Sequence, residues 1–331
     1  MAPLLSFSIV FLFGAFVIWA DTPFVRYLGV STDQICSVRQ IVRAPRTIDF
    51  IALGSSRVRR GIDPDIVSQS SSGAIGPGVN FGRAGRDIGR SYHILRDLVQ
   101  KGAVPRYALL EVDLEGLDIN GRKRPMIASN RMAFDTYSDI MERASIFSDQ
   151  PAFALKLATN ALRAKLHYAL IYHLNGTVFT SLFQIDQPYE NTCRRPEDDL
   201  RSAERDAKLE RELRKLKQKY PNLETAVIET FEFAHSHRAR MEMHYLDLIR
   251  KLSHRHGIKL YITRQWSYMQ PHYSEKARRQ IKEVIPEFIY PDDKFIDSTM
   301  IEFPDDAHLG AKGRAIYSRW IGETIAAGGL K

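Results

Sequence analysis

Three short segments of this 331-residue chain hold residue types that could do chemistry together: ALGSSR (52–57), VNFGRAG (79–85) and FPDDAHLGAKG (303–313). The first ends an apolar run on two serines, and the last sets a carboxylate three residues before an imidazole. A serine hydroxyl is a poor nucleophile until an imidazole removes its proton and a carboxylate fixes the tautomer of that imidazole. Asp-x-x-His on one turn brings acid and base close together, so the chemistry open to such a set is acyl transfer through serine. Each segment also has a plainer explanation. Gly-Ser-Ser after a strand is ordinary turn sequence, and a single histidine is more often a satisfied structural residue.

The elements that must position these residues can be read from apolar periodicity. Ile48–Leu53 is a mostly apolar hexamer that stops at Gly54-Ser55-Ser56, the pattern of a buried parallel strand opening into a loop. Val79-Asn80-Phe81 predicts a second strand before the Gly82 and Gly85 turn. Asp87–Lys101 predicts a helix facing inward through Ile88, Tyr92, Leu95 and Leu98, and Tyr107–Asp113 a third strand. Farther on, Thr225–His256 predicts a long helix closed by Gly257, and Ile258–Thr263 another strand. The stretch after His308 predicts a final helix carrying Ile316, Trp320 and Ile321 inward. Alternating β and α elements imply an α/β fold, a parallel sheet sandwiched by helices. Such sheets bind ligands beyond the carboxyl ends of their strands, where Ser56 stands, so its distance from His308 in sequence is no obstacle. Residues 120–250 read as a helical insertion, clearest at Ala152–Tyr172. The charge-dense Glu197–Lys219 reads as a solvated helix.

With 44% hydrophobic and 26% charged residues the chain can bury a sizeable core. Its net charge of +8 favours partners with a negative field. No zinc-finger spacing, RRM-like aromatic motif or basic zipper accompanies that charge, which argues against nucleic acid and leaves membrane or glycan. Leu4–Ala20 is an apolar run at the lower limit for crossing a bilayer, and it either anchors the chain or exports it. Ile18-Trp19-Ala20 suits cleavage poorly, so an uncleaved anchor is the preferred reading. Residues 1–22 are then a membrane anchor or signal segment, 23–46 a juxtamembrane connector, and 47–331 the remaining domain. One feature opposes export: no Lys or Arg precedes the run, whereas Arg26, Arg39 and Arg43 follow it. Cys36 and Cys193 lack metal-ligand spacing, so neither metal nor cofactor is expected; whether they pair stays open.

The three segments, in this order and at these distances, resemble the sequence blocks of the SGNH (GDSL-like) hydrolases. The resemblance implies that Ser56 is the nucleophile, that Asp305 and His308 complete a catalytic triad, and that Gly85 lines the oxyanion hole. Asp306 is the second choice for the orienting carboxylate. The backbone amides of Ser56 and Gly85 would stabilise the developing oxyanion. The chain departs from the family where an Asn normally follows the third strand: LLEVDLEGLD (109–118) puts Asp113 or Glu115 there. A carboxylate cannot donate unless protonated, which leaves Asn80 as a candidate donor. GSSR, a late D-x-x-H-L and an N-terminal apolar segment together resemble SGNH-like proteins associated with acylation of bacterial surface polysaccharides. That likeness implies a serine-dependent esterase or O-acyltransferase working through an acyl-serine on a cell-surface or exported glycan. It further implies a periplasmic or extracellular domain and a membrane-bound acyl-donor partner. Beside it stands a second reading, a non-catalytic SGNH-like module that binds glycan or partner subunits of an export or modification complex, favoured by the missing Asn. Finally, Arg57, Arg59, Arg60, Arg83 and Arg86 follow the first two strands, where planar forks, those of Arg57, Arg83 and Arg86 first, would suit an anionic substrate, unless Asp63, Asp87 or Glu111 pairs with them.

Overall fold

The computed structural model describes residues 47–82, 87–119, 137–174, 227–265, 272–299 and 308–328. The chain opens on β1 (Phe50–Leu53), α1 (Ser56–Gly61), α2 (Pro64–Ser70), β2 (Gly78–Asn80), α3 (Ile88–Gln100) and β3 (Tyr107–Glu111). It continues through α4 (Leu114–Leu117), α5 (Tyr137–Ser145), α6 (Pro151–Leu174), β4 (Val227–Ile228) and α7 (His237–Arg255). The last elements are β5 (Lys259–Thr263), β6 (His272–Tyr273), α8 (Glu275–Val284), β7 (Phe288–Ile289), α9 (Asp293–Thr299) and α10 (Ala311–Ala326). This is an α/β protein with a parallel central sheet flanked by helices. The sheet runs β2-β1-β3-β5-β7 with every neighbouring pair parallel.

Every residue of β1 and of β3 is buried, as a strand covered on both faces requires. Crossovers between parallel strands are almost always right-handed, which with this strand order puts α3 and α7 on one face of the sheet and α1 and α2 on the other. Accordingly α3 packs against α7, and α10 against α2 and α1. The second contact is close because Gly322 has no side chain: a Cβ there would collide with Ser70 Oγ and the Val67 carbonyl. Ser318 Oγ accepts from the Asp63 amide at 2.8 Å, and Tyr317 and Thr263 hydroxyls meet at 3.0 Å, tying α10 to α2 and to the end of β5. Residues 137–174 belong to a separate unit, in which α5 packs on α6 and Phe147 meets Phe153 edge to face.

Two sequence expectations need correction. Residues 225–256 are not one helix: β4 and an irregular stretch precede α7, which starts only at His237. The cause is tertiary. The Ile119 amide bonds to the Glu232 carbonyl, the Ala234 amide to the Leu117 carbonyl, and Phe233 bridges Asp118, so this stretch is held extended until Ser236 caps α7. Because α7 is the crossover between β3 and β5, the described part of the 120–250 segment from Val227 onward belongs to the sheet unit, and 137–174 to the other. In α10 the buried row is Gly313, Tyr317, Ile321 and Ile325, while Ile316 and Trp320 are only half-buried. The helix turns its small and hydroxylated side to α2, where a bulkier residue would not fit. Gly257 does end α7, in the left-handed region at φ +67°. Among the described residues no helix is long and apolar enough to cross a membrane. Leu4–Ala20, Cys36, Cys193 and Glu197–Lys219 lie outside the described residues.

Candidate active site

Ser56 is the first residue of α1, directly beyond the carboxyl end of β1. The turn that puts it there depends on Gly54, at φ +152°, where a Cβ would stand 2.7 Å from Glu111 Cβ and 2.6 Å from Val58 Cγ2. Ser55 caps α1 by accepting from the Arg57 amide. Glu111, the last residue of β3, holds the turn from the neighbouring strand. Its Oε2 accepts from the Ser55 amide at 3.0 Å and from Ser55 Oγ at 2.6 Å. The parallel register of Leu53 beside Leu110 sets that carboxylate opposite the turn.

His308, two residues before the N-cap of α10, brings Nε2 to 2.9 Å from Ser56 Oγ, although the two residues are 252 positions apart. Both side chains are half-buried, so the pair is reachable from solvent. On the other edge of the ring, Arg60 Nη1 donates toward His308 Nδ1 at 3.3 Å. The structure therefore brings together Ser56 and His308. Asp305, Asp306, Gly85, Arg83 and Arg86 lie outside the described residues.

Two other expected site residues are used elsewhere. Asn80 Nδ2 donates both its protons to backbone, to the Val58 carbonyl at 2.8 Å and the Ile62 carbonyl at 2.7 Å, while its Oδ1 accepts from the Gly82 amide. An amide group so engaged fastens β2 to the C-terminal end of α1 and has no proton left for an oxyanion. Arg57 turns to Glu111, with Nη1 3.7 Å from Oε1 and only 14% of its side chain exposed. It braces the turn, the pairing that its acidic neighbour offered. Gly82 packs so tightly on α1 that a Cβ would meet the Arg59 amide and Val58.

Beyond β3, the segment that lacks the family's Asn carries a chain of buried ion pairs. Asp113 accepts from Arg238 Nη2 at 2.7 Å, and Arg238 Nε also reaches Glu242 at 2.7 Å. Gly116 makes room for the Arg238 guanidinium, since a Cβ there would stand 2.6 Å from Nε. Arg264, fully buried, donates to Glu115 at 2.9 Å and to Tyr273 Oη at 2.9 Å. Burial pushes the Asp113 carboxyl up, but the charges of Arg264 and Arg238 outweigh it and hold Asp113 below the usual carboxylate range. Glu242 is the opposite case: burial dominates, the Arg238 charge only partly offsets it, and the carboxyl is pushed up to about 7. One guanidinium thus serves two carboxylates, with Asp113 ionised and Glu242 retaining its proton toward neutrality. An ionised Asp113 cannot replace the donating Asn. Sequence reasoning offered Glu111 only as a partner for the arginines, not as the brace of the serine turn, and named Arg60 among the arginines near Ser56 without placing it beside His308. A signal for Glu111 existed in its place at the acidic end of the predicted third strand; Arg60, one helical turn after Ser56, had only its spacing.

No family model matches the chain, and neither does any curated protein.

Proposed function

We propose that this chain is an SGNH-type serine-dependent esterase or O-acyltransferase that works through an acyl-serine on a cell-surface or exported glycan. The observation that carries the reading is the 2.9 Å approach of His308 Nε2 to Ser56 Oγ at the carboxyl end of a parallel strand. Ser56 Oγ attacks the acyl carbonyl while its proton passes to His308 Nε2. The tetrahedral oxyanion is met by the Ser56 amide, one of the helix N-terminal amides that have no intrahelical acceptor, and by the Gly85 amide. Collapse expels the alcohol, which takes the proton from His308. Water or a glycan hydroxyl then repeats the sequence in reverse, giving hydrolysis in the first case and transfer in the second. Asp305, carried over from the family likeness, orients the imidazole through Nδ1. Residues 4–20 hold the chain in a membrane with residues 47–331 on the periplasmic or outer side, near a membrane-bound acyl donor.

The reading as a non-catalytic glycan-binding or partner-binding module draws on one observation: neither Asn80 nor the ionised Asp113 offers the side-chain donor that the family places in the oxyanion hole. The two readings separate on a serine-directed fluorophosphonate probe applied to the full chain. The enzyme reading expects stoichiometric labelling that Ser56→Ala abolishes. Labelling that survives Ser56→Ala, or none in the wild type, would leave the module.

A further inference from the structure

Counted from the Leu53–Leu110 pair of the parallel β1–β3 register, Ser56 and Asp113 are each the third residue onward, so both leave the carboxyl ends of adjacent strands. That end of a parallel sheet is where ligands bind. Asp113 occupies the N-cap position of α4, where an aspartate ordinarily accepts from an amide of the first turn. Here its side chain makes no such bond. Its Oδ2 takes Arg238 Nη2 at 2.7 Å instead, and among the described residues Oδ1 meets no donor, although 28% of the side chain is exposed. The carboxylate is held in this posture from behind. Arg238 is nine-tenths buried and fixed through Nε to Glu242, in the room that Gly116 leaves. The remaining amino group of that guanidinium, Nη1, is buried with no hydrogen-bond partner.

The Asp113–Arg238 pair thus keeps one exposed acceptor and one buried donor unanswered. An ionised carboxylate only accepts, so whatever binds Oδ1 must bring a proton. A carboxylate or phosphate ligand brings none and adds like-charge repulsion. An ammonium has donors but nothing that could accept. A hydroxyl has both. We propose that Asp113 selects the acceptor of the acyl group, by taking one hydroxyl of a neutral sugar and so setting a second hydroxyl of that sugar against the acyl-Ser56. The proposal rests on the reading of Ser56 as acyl carrier. In the transfer step the second hydroxyl gives its proton to His308 Nε2 while its oxygen bonds the acyl carbon, and Ser56 Oγ leaves, recovering that proton. Where the family places an amide that donates to the oxyanion, this chain has a group that serves the acceptor. Monohydroxy alcohols offer no second hydroxyl to Asp113 and would be poorer acceptors than sugars.

Acetyl transfer from a chromogenic acetyl ester, run on the full chain with methyl glucoside and propanol competing at equal concentration, reads this preference in products weighed by mass spectrometry. Wild type is expected to favour the sugar. In Asp113→Asn the sugar-over-propanol ratio should fall on the order of tenfold, because a bond to a charged acceptor becomes one to a neutral amide. The ratio compares two fates of one acyl-enzyme, so slower formation of that intermediate does not alter it. Methyl glucuronoside should be a poorer acceptor than methyl glucoside at matched ionic strength. An unchanged ratio in Asp113→Asn, or a preference for methyl glucuronoside, would overturn the proposal. Should Asp113→Asn fail to fold, carboxyl-carbon NMR of the wild type decides: the Asp113 signal should move with methyl glucoside and stay in place with propanol. A signal indifferent to the sugar would contradict the assignment. If Ser56 never carries an acetyl group yet the Asp113 signal responds to the sugar, the sugar site stands and the acyl-carrier reading falls. If neither occurs, both fall.

Discussion

At the scale of the residue, the account depends on a serine held by a turn and an imidazole held by a helix entry. Ser56→Ala and His308→Ala are expected to abolish covalent labelling with the fold intact, since neither side chain belongs to the core; circular dichroism alongside labelling checks both halves. Asp305→Ala should retain a residual rate, on the order of tenfold to hundredfold above that of His308→Ala, as orienting carboxylates generally cost less than the base. If Asp305→Ala has no effect, Asp306 is the orienter. Glu111 calls for a different outcome. Its Oε2 takes two hydrogen bonds from Ser55, so Glu111→Ala removes two bonds to a buried charge and should cost on the order of 3 kcal/mol in denaturant unfolding. Labelling should also slow, because the turn that presents Ser56 loses its brace. A Glu111→Ala protein as stable as wild type would mean that Gly54 and the Ser55 cap suffice to hold the turn.

At the scale of the element, α10 carries His308 to Ser56, and its seating on α2 sets the approach. Gly322→Val would drive side-chain atoms into the Val67 carbonyl and Ser70 Oγ, which are helix atoms that cannot move aside cheaply. The expected result is a lower melting temperature together with slower labelling. Unchanged labelling in a destabilised protein would show that the Ser56–His308 approach survives independently of how α10 packs. Much of this layer was legible in the sequence. The strands at β1, β3 and β5 and the helices α3 and α10 follow from their apolar patterning, because fully buried parallel strands leave continuous apolar runs. What stayed hidden depended on partners distant in sequence. The stretch before α7 has helix-compatible composition but is held extended by Leu117 and Ile119. The strands β6 and β7, two residues each, are too short to show a period. The inward face of α10 escapes apolar periodicity because Gly322 marks close packing on α2 rather than hydrophobic burial. At the site, serine and histidine were legible from their junctions, whereas the use of Asn80 and Arg57 as braces depended on which backbone and carboxylate groups folding would bring to them.

At the scale of the whole molecule, the buried Arg238 network links stability to pH. Glu242 has an ordinary carboxyl value of 4.5 and is held up to about 7 in the fold. The folded state therefore binds its proton more tightly than the unfolded chain. The resulting stabilisation is fully present below pH 4.5 and is lost as pH rises to about 7, a change on the order of 3 kcal/mol. Glu242→Gln keeps the shape but does not titrate, so its stability relative to wild type should climb across that window and level off above it. A difference flat with pH, measured by urea unfolding, would show that Glu242 titrates normally. The same scale includes topology. A reporter fused after Lys331 should be active on the outer side of the membrane, despite the basic residues Arg26, Arg39 and Arg43 that follow the apolar run. Activity only in the cytoplasm would reverse the orientation and remove exported glycan from consideration.

The central claim is that Ser56 forms an ester with the acyl group and that His308 makes this occur. Exposing the protein to a chromogenic acetyl ester, quenching in acid and weighing its peptides by mass spectrometry tests that claim most directly. The peptide containing Ser56 should carry one acetyl group in the wild type and none in His308→Ala. Acetyl found on other peptides alone, or equally on Ser56 in both proteins, would contradict it.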